Sequence, residues 1–261
     1  THIFTASGPF NVTSTASSAA NNTIDYIVVA GGAGGGAEQG GGGGAGGFRM
    51  SNALGLPGPT TSPLANPSGL PVSIQTYSVV VGGGGAGAPA GSPQPKSTAG
   101  NNSTFSTITS AGGGAAGGGN NCASPLRKGG DGGSGGGSGF GDDAYNPPSS
   151  GTVPGGASSP VTSPAQGTAG GASGIGCNAY GGGGGGAATA GGTPAPSTSA
   201  GGDGSYIADG FVGPSAPSYG TPGPVGSTRY FAGGGAGRSR AGTAPTEVGG
   251  FGGGGDYTHP G

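Results

Sequence analysis

Charged side chains are nearly missing from this chain: Lys and Arg together number 7 and Asp and Glu 9 in 261 residues, a formal net charge of −2. So few cations provide no basic surface for the many phosphate contacts on which nucleic-acid binding depends. Tryptophan is absent, methionine occurs once, Phe and Tyr contribute eight each, and much of the 30% hydrophobic content is alanine. An ordinary core of packed helices and sheets would leave most of such a chain uncovered. No apolar run approaches the roughly 20 residues that cross a bilayer as a helix, so membrane insertion is not expected. The two histidines, His2 and His259, have no Cys, His or carboxylate at ligand spacing, and no metal site or cofactor is expected. The scarcity of ionisable groups leaves little for general acid–base or nucleophilic chemistry, and the chain reads as non-enzymatic. Two cysteines are too few for a disulfide framework. Cys122 and Cys177 either close a loop of about 55 residues, which chain entropy rates at roughly 4 kcal/mol, or stand as free thiols.

What the chain has instead is glycine, 74 residues of it, together with 23 prolines. Glycine costs about 0.5 to 1 kcal/mol relative to alanine at a helix or strand position, which all but excludes α-helix. Composition of this kind signals disorder when no other pattern is present. Here, however, short β-forming runs recur, each leading directly into glycine: TIDYIVVA before Gly31, SIQTYSVVV before Gly82 to Gly85, STFSTITSA before Gly112 to Gly114, and STRYFA before Gly233 to Gly235. The continuously apolar run Ile27 to Ala30 suits a strand covered on both faces. Extended helices with three residues per turn are open to glycine as readily as to proline. They carry no internal hydrogen bonds, so buried tracts of this type must pair their amides with neighbouring tracts. The expected fold is therefore mostly irregular with minor β: short β-strands leading into a packed bundle of glycine-rich polyproline or polyglycine II-type helices. Residues 1–30 read as a small β element and 31–261 as the glycine-rich domain with Pro/Ser/Thr-rich loops, unless the two form one continuous domain.

The stretch Gly32-Ala33-Gly34-Gly35-Gly36-Ala37 formally meets the G-x-G-x-x-G/A dinucleotide fingerprint, yet the glycines that follow leave no helix to hold a pyrophosphate. Gly129 to Asp143 resembles calcium-binding glycine repeats but lacks their nonapeptide register. The best candidates for a recognition surface are rings that interrupt small-residue segments: Tyr145, Tyr180, Tyr206, Phe211 and Tyr219. Rings stack well on sugar faces and apolar patches, and they also anchor loops in a protein short of core.

Four segments in order, IDYIVVAGGAGGGAEQGGGGGAGGFRM, TYSVVVGGGGAGAPAG, GNNSTFSTITSAGGGAAGGG and STRYFAGGGAG, resemble the glycine-rich domain of bacteriophage tail fibres and adhesins over most of the chain. That family's closing strand, of the type GGSGxVxIRY, has no counterpart before His259-Pro260-Gly261. The resemblance implies a virion protein of a tail fibre or other surface appendage that attaches to the host without catalysis. Its implied partners are a host cell-surface receptor (a saccharide or an outer-membrane protein) and other virion fibre or tail proteins. A homotrimer is expected, with a monomeric tip as the alternative. Two further readings stand beside it: a purely structural virion component such as a shaft, capsid fibre or decoration protein, and an ice-binding or extracellular glycine-rich protein.

Overall fold

The computed structural model describes residues 1–18, 21–55, 61–91, 95–119, 124–140, 152–174, 180–194, 199–238 and 246–258. Most of these residues are irregular, and the helical elements that lie wholly within them are short: α1 (Ser124–Arg127) and α2 (Asp209–Val212), of four residues each, and a 3₁₀ turn at Ala216–Ser218. The strands are short, as expected for β-formers that run out into glycine.

The largest sheet orders β1 (Gly8–Val12), β7 (Gln75–Val80), β8 (Ser103–Phe105) and β9 (Ile108–Ser110), with Phe10 opposite Tyr77 and Val79 opposite Phe105. A second sheet places β4 (Phe48–Ser51) between antiparallel β3 (Ile27–Val29) and parallel β5 (Ala65–Asn66). A third places β12 (Thr228–Phe231) between β10 (Ser205–Ala208) and β11 (Thr221–Pro222). Two small pairs, β2 (Thr23–Ile24) with β6 (Leu70–Pro71) and β13 (Thr246–Glu247) with β14 (Tyr257–Thr258), complete the sheets among the described residues. All three strands within residues 1–30 pair with segments beyond residue 47. β3 is covered on both faces: Val28 is buried, while Ile27 and Val29 pack against the apolar cluster described below.

Between the strands run the glycine tracts, and their backbone hydrogen bonds step by three residues. Ala30, Ala33 and Gly36 donate to the carbonyls of Gly47, Gly44 and Gly41 at 3.1, 2.9 and 2.9 Å. Gly41, Gly44 and Gly47 in turn donate to Gly117, Gly114 and Ala111 at 3.0, 3.0 and 2.7 Å. Gly42 and Ala45 donate to Gly182 and Gly185, while Ser134 and Gly137 donate back to Ala45 and Gly42. Gly235 and Arg238 donate to Gly43 and Gly40. A repeat of three is the signature of the polyglycine II helix, in which successive peptide groups point 120° apart and each third residue faces the same neighbour. The tract 40–47 is thus surrounded by tracts 30–36, 111–117, 134–137, 182–185 and 235–238, and every residue of it is buried.

Close approach explains why these positions are glycine. A Cβ on Gly42 would collide with the Gly235 carbonyl, and one on Gly113 with the Gly44 carbonyl. Where a tract carries a side chain, it is mostly alanine or serine, and buried serines bond to the backbone of neighbouring tracts, as donors to carbonyls or, as at Ser97 and Ser173, as acceptors from N–H groups. The Ser110 hydroxyl lies 2.9 Å from both the Val28 and Gly47 oxygens, and Ser134 donates to Gly186 at 3.0 Å. Gln166, fully buried, joins tracts through its amide, accepting from the Ala111 N–H at 2.9 Å and donating to the Pro160 carbonyl at 2.8 Å.

A compact apolar cluster closes one end of the bundle, where tracts meet sheets: Ala45, Phe48, Met50, Ala187, Ile207, Val212, Ala216 and Ala232. The bridge Thr61 to Ile207 and the 2.6 Å contact between the Ser62 and Ser205 hydroxyls tie the second and third sheets together across it.

Candidate functional site

The third sheet carries an aromatic row. Tyr206 and Tyr230 are opposite each other in register on β10 and β12, with ring centroids 5.4 Å apart, and Phe251 continues the row 5.8 Å from Tyr230. Tyr230 is buried at the middle of the row, whereas Tyr206 is half-buried and Phe251 is 47% exposed. Burial, reinforced by the neighbouring Tyr206 and Asp203, raises the pKa of the Tyr230 phenol above its ordinary value, which favours the neutral phenol at the middle of the row. The backbone beside it is fixed by side chains: Asp203 accepts from the Phe251 N–H at 3.1 Å, and Thr221 from the Gly252 N–H at 2.8 Å. Arg229 holds the adjacent turn by donating to the Tyr219 carbonyl at 2.8 Å and the Gly220 carbonyl at 2.7 Å. Aromatic rings with one open side, on a backbone held in place, can stack on a saccharide face or an apolar patch.

Of the five rings singled out in the sequence, the structure brings Tyr206, Phe211 and Tyr219 to the same end of the molecule. Tyr206 belongs to the row, while Phe211, on α2, and Tyr219, after the 3₁₀ turn, pack half-buried against the apolar cluster. Tyr180 is buried at the opposite end of tract 180–187, about 20 Å away at the ~3 Å rise per residue of these helices. Tyr145 lies outside the described residues, as do Cys122, Cys177 and His259.

A second aromatic group escaped the sequence reading. On the four-stranded sheet, Phe10 sits 6.4 Å from Tyr77 and 5.7 Å from Phe105, with His2 and Phe4 edge-on to Phe10 at 5.4 and 6.4 Å. The available signal was the period-two pattern of QTYSVV, which puts Tyr77 and Val79 on one face. Only the register brings Phe10 and Phe105 onto that face. Among the described residues, no three His, Cys, Asp or Glu side chains gather closely enough to hold a metal ion, and no helix is long and apolar enough to cross a membrane.

A bundle of three-residue helices joined backbone to backbone defines a glycine-rich architecture. Residues 5–261 match the family model of the glycine-rich domain, and the chain belongs to that family. No curated protein and no solved structure matches it.

Proposed function

We propose that this chain is a virion fibre protein, a tail fibre or tip adhesin, that attaches to a host cell-surface receptor without catalysis. The observation that carries the reading is the row Tyr206–Tyr230–Phe251: partly exposed rings at one end of a bundle stiffened by backbone hydrogen bonds along its length. A rigid body with a recognition surface at its end is what attachment needs, because loops and edges on a fixed scaffold lose little freedom on binding. The order of strand–glycine joints, which resembles that of phage fibre domains, supports the same assignment. The receptor class that suits stacked rings is a saccharide or an apolar patch of an outer-membrane protein. Other fibre or tail proteins complete the set of proposed partners, in a homotrimer or as a monomeric tip.

The test is adsorption of the purified chain to host cells, comparing the parent with Phe251→Ala and Tyr206→Ala. Both variants should bind at least tenfold more weakly while melting within a few degrees of the parent. Undiminished adsorption by both would remove the row from recognition. The second reading, a structural shaft or decoration element, draws on the bundle alone, which needs no ligand to be complete as a spacer. Imaging of intact particles separates the two, since an adhesin sits distally and a spacer lies between other subunits.

A further inference from the structure

Beside the central tract 40–47 runs an open groove of about 370 Å³, walled by tract 30–36, tract 233–238 and residues 253–257. Its walls are largely backbone, and their peptide groups are aimed by planarity. In each peptide unit the C=O and the following N–H point in opposite directions. The Gly42 carbonyl is taken on one side by the Gly137 N–H, so the Gly43 N–H points to the other side, into the groove. Gly34 donates away from the groove to Thr98, which turns the Ala33 carbonyl towards it, and the Gly36 carbonyl follows one helical turn later. Gly234 and Gly237 donate to Gly202 and Ser199, which turns the Gly233 and Ala236 carbonyls inward from the opposite wall. None of these five inward-facing groups has a hydrogen-bond partner among the described residues. At one end, the Arg238 side chain lines the groove with its guanidinium over the Tyr257 ring, and its buried Nε also lacks a partner among the described residues.

We infer that this groove takes up an extended, glycine-rich segment of another polypeptide, which joins the bundle as a further three-residue helix. The rows repeat about every 9 Å, the three-residue rise of that helix, and they surround the position from three sides. Arg238 and Asp256 bring opposite charges to the same end of the groove, and along the rest of the walls carbonyls outnumber N–H groups, which disfavours an anion there. A ligand must instead present donors in two directions and an acceptor in a third, as a polyglycine II strand does. Apart from Arg238, Asp256 and Tyr257 at one end, the walls are glycine and alanine, so the occupant must also lack bulky side chains to bring its backbone within hydrogen-bonding range. This inference does not depend on the attachment reading: it concerns how the chain joins a neighbouring protein and would hold for a spacer as well.

The probe is a fluorescent nonaglycine flanked by lysines, titrated against the full chain, with an oligosarcosine of the same length as its partner. N-methylation keeps the backbone and removes the donors. Nonaglycine should bind saturably, oligosarcosine at least tenfold more weakly, and the Gly43 amide should become protected from hydrogen exchange in the complex. A Cβ added at Gly35 or Gly255, both groove residues, meets no heavy atom within 4 Å, so Gly35→Leu and Gly255→Leu should fold normally and weaken nonaglycine binding at least tenfold. Equal affinity for the two peptides, or no saturable binding, would overturn the inference, and this comparison stands even where a variant fails to fold. A dimer of the chain that Gly35→Leu dissolves, with no nonaglycine binding, would assign the groove to a second copy and overturn the choice of occupant.

Discussion

Replacing Gly42 with alanine is the sharpest probe of the bundle. The added methyl would lie inside van der Waals contact with the Gly235 carbonyl and close to the Gly184 N–H, so tracts 40–47, 180–187 and 232–238 must part to admit it. Three hydrogen bonds meet there: Gly42 to Gly182 and Gly184 to Gly235, both 2.9 Å, and Gly235 to Gly43 at 3.0 Å. Leaving a buried backbone group unpaired costs about 1–3 kcal/mol, and two such losses are a conservative outcome of opening the contact. Against this, alanine restricts the unfolded chain and returns about 0.4–1 kcal/mol. The net loss is about 1–6 kcal/mol, a fall in melting temperature of roughly 2–20 °C for a chain of this size. The control is Gly84→Ala, where the nearest atom to the new Cβ is the Gly32 oxygen at 3.5 Å, an ordinary contact. That variant should be neutral or stabilised by up to about 1 kcal/mol, since only the unfolded-state effect remains. Thermal and urea unfolding of the pair decide the matter. If both variants lose the same stability, glycine is present for its backbone freedom alone and close packing of tracts is not what selects it.

Gln166→Leu keeps the volume but strands the Ala111 N–H and the Pro160 carbonyl. The loss should be about 2–4 kcal/mol by urea unfolding, and less than about 0.5 kcal/mol would show that the amide does not join the tracts. Stability should also fall as pH rises past 10. Burial lifts the Tyr26 phenol above 10.0, with Arg49 opposing, so the unfolded chain gives up that proton first and binds fewer protons than the folded one. Tyr230 acts in the same direction, whereas Tyr77, whose phenolate is favoured by hydrogen bonds from Ser73 and Gln75, works the other way. Tyr26→Phe should therefore flatten the decline between pH 9 and 11, and an unchanged slope would place its cause elsewhere.

Much of the architecture is legible in the residues. The joints at Ala30, Val81, Ala111 and Ala232 mark where pleated pairing gives way to three-residue helices, because β-branched and aromatic side chains stop there and glycine begins. What composition cannot disclose is which tract lies beside which. One glycine tract reads like another, so the choice of 111–117 and 182–185 as partners of 40–47 has no local code. It is carried by scattered positions, the hydroxyls of Ser110 and Ser134 and the amide of Gln166, that look like loop residues until a carbonyl is seen opposite them. Tyr180 illustrates the converse. It breaks a run of small residues, as a loop aromatic would, but lies buried where its tract begins.

The three-residue stepping of the tracts imposes a reading frame on length. Inserting one residue into 40–47 would turn every peptide group beyond it by about 120°, so that amides aimed at 111–117 would face a different tract. Related chains can then lengthen or shorten their tracts only in whole turns, while the proline- and serine-rich connections are free to vary by any number. Insertions and deletions among relatives should fall into two populations, one counted in threes and one unconstrained, and the boundary between them traces the bundle.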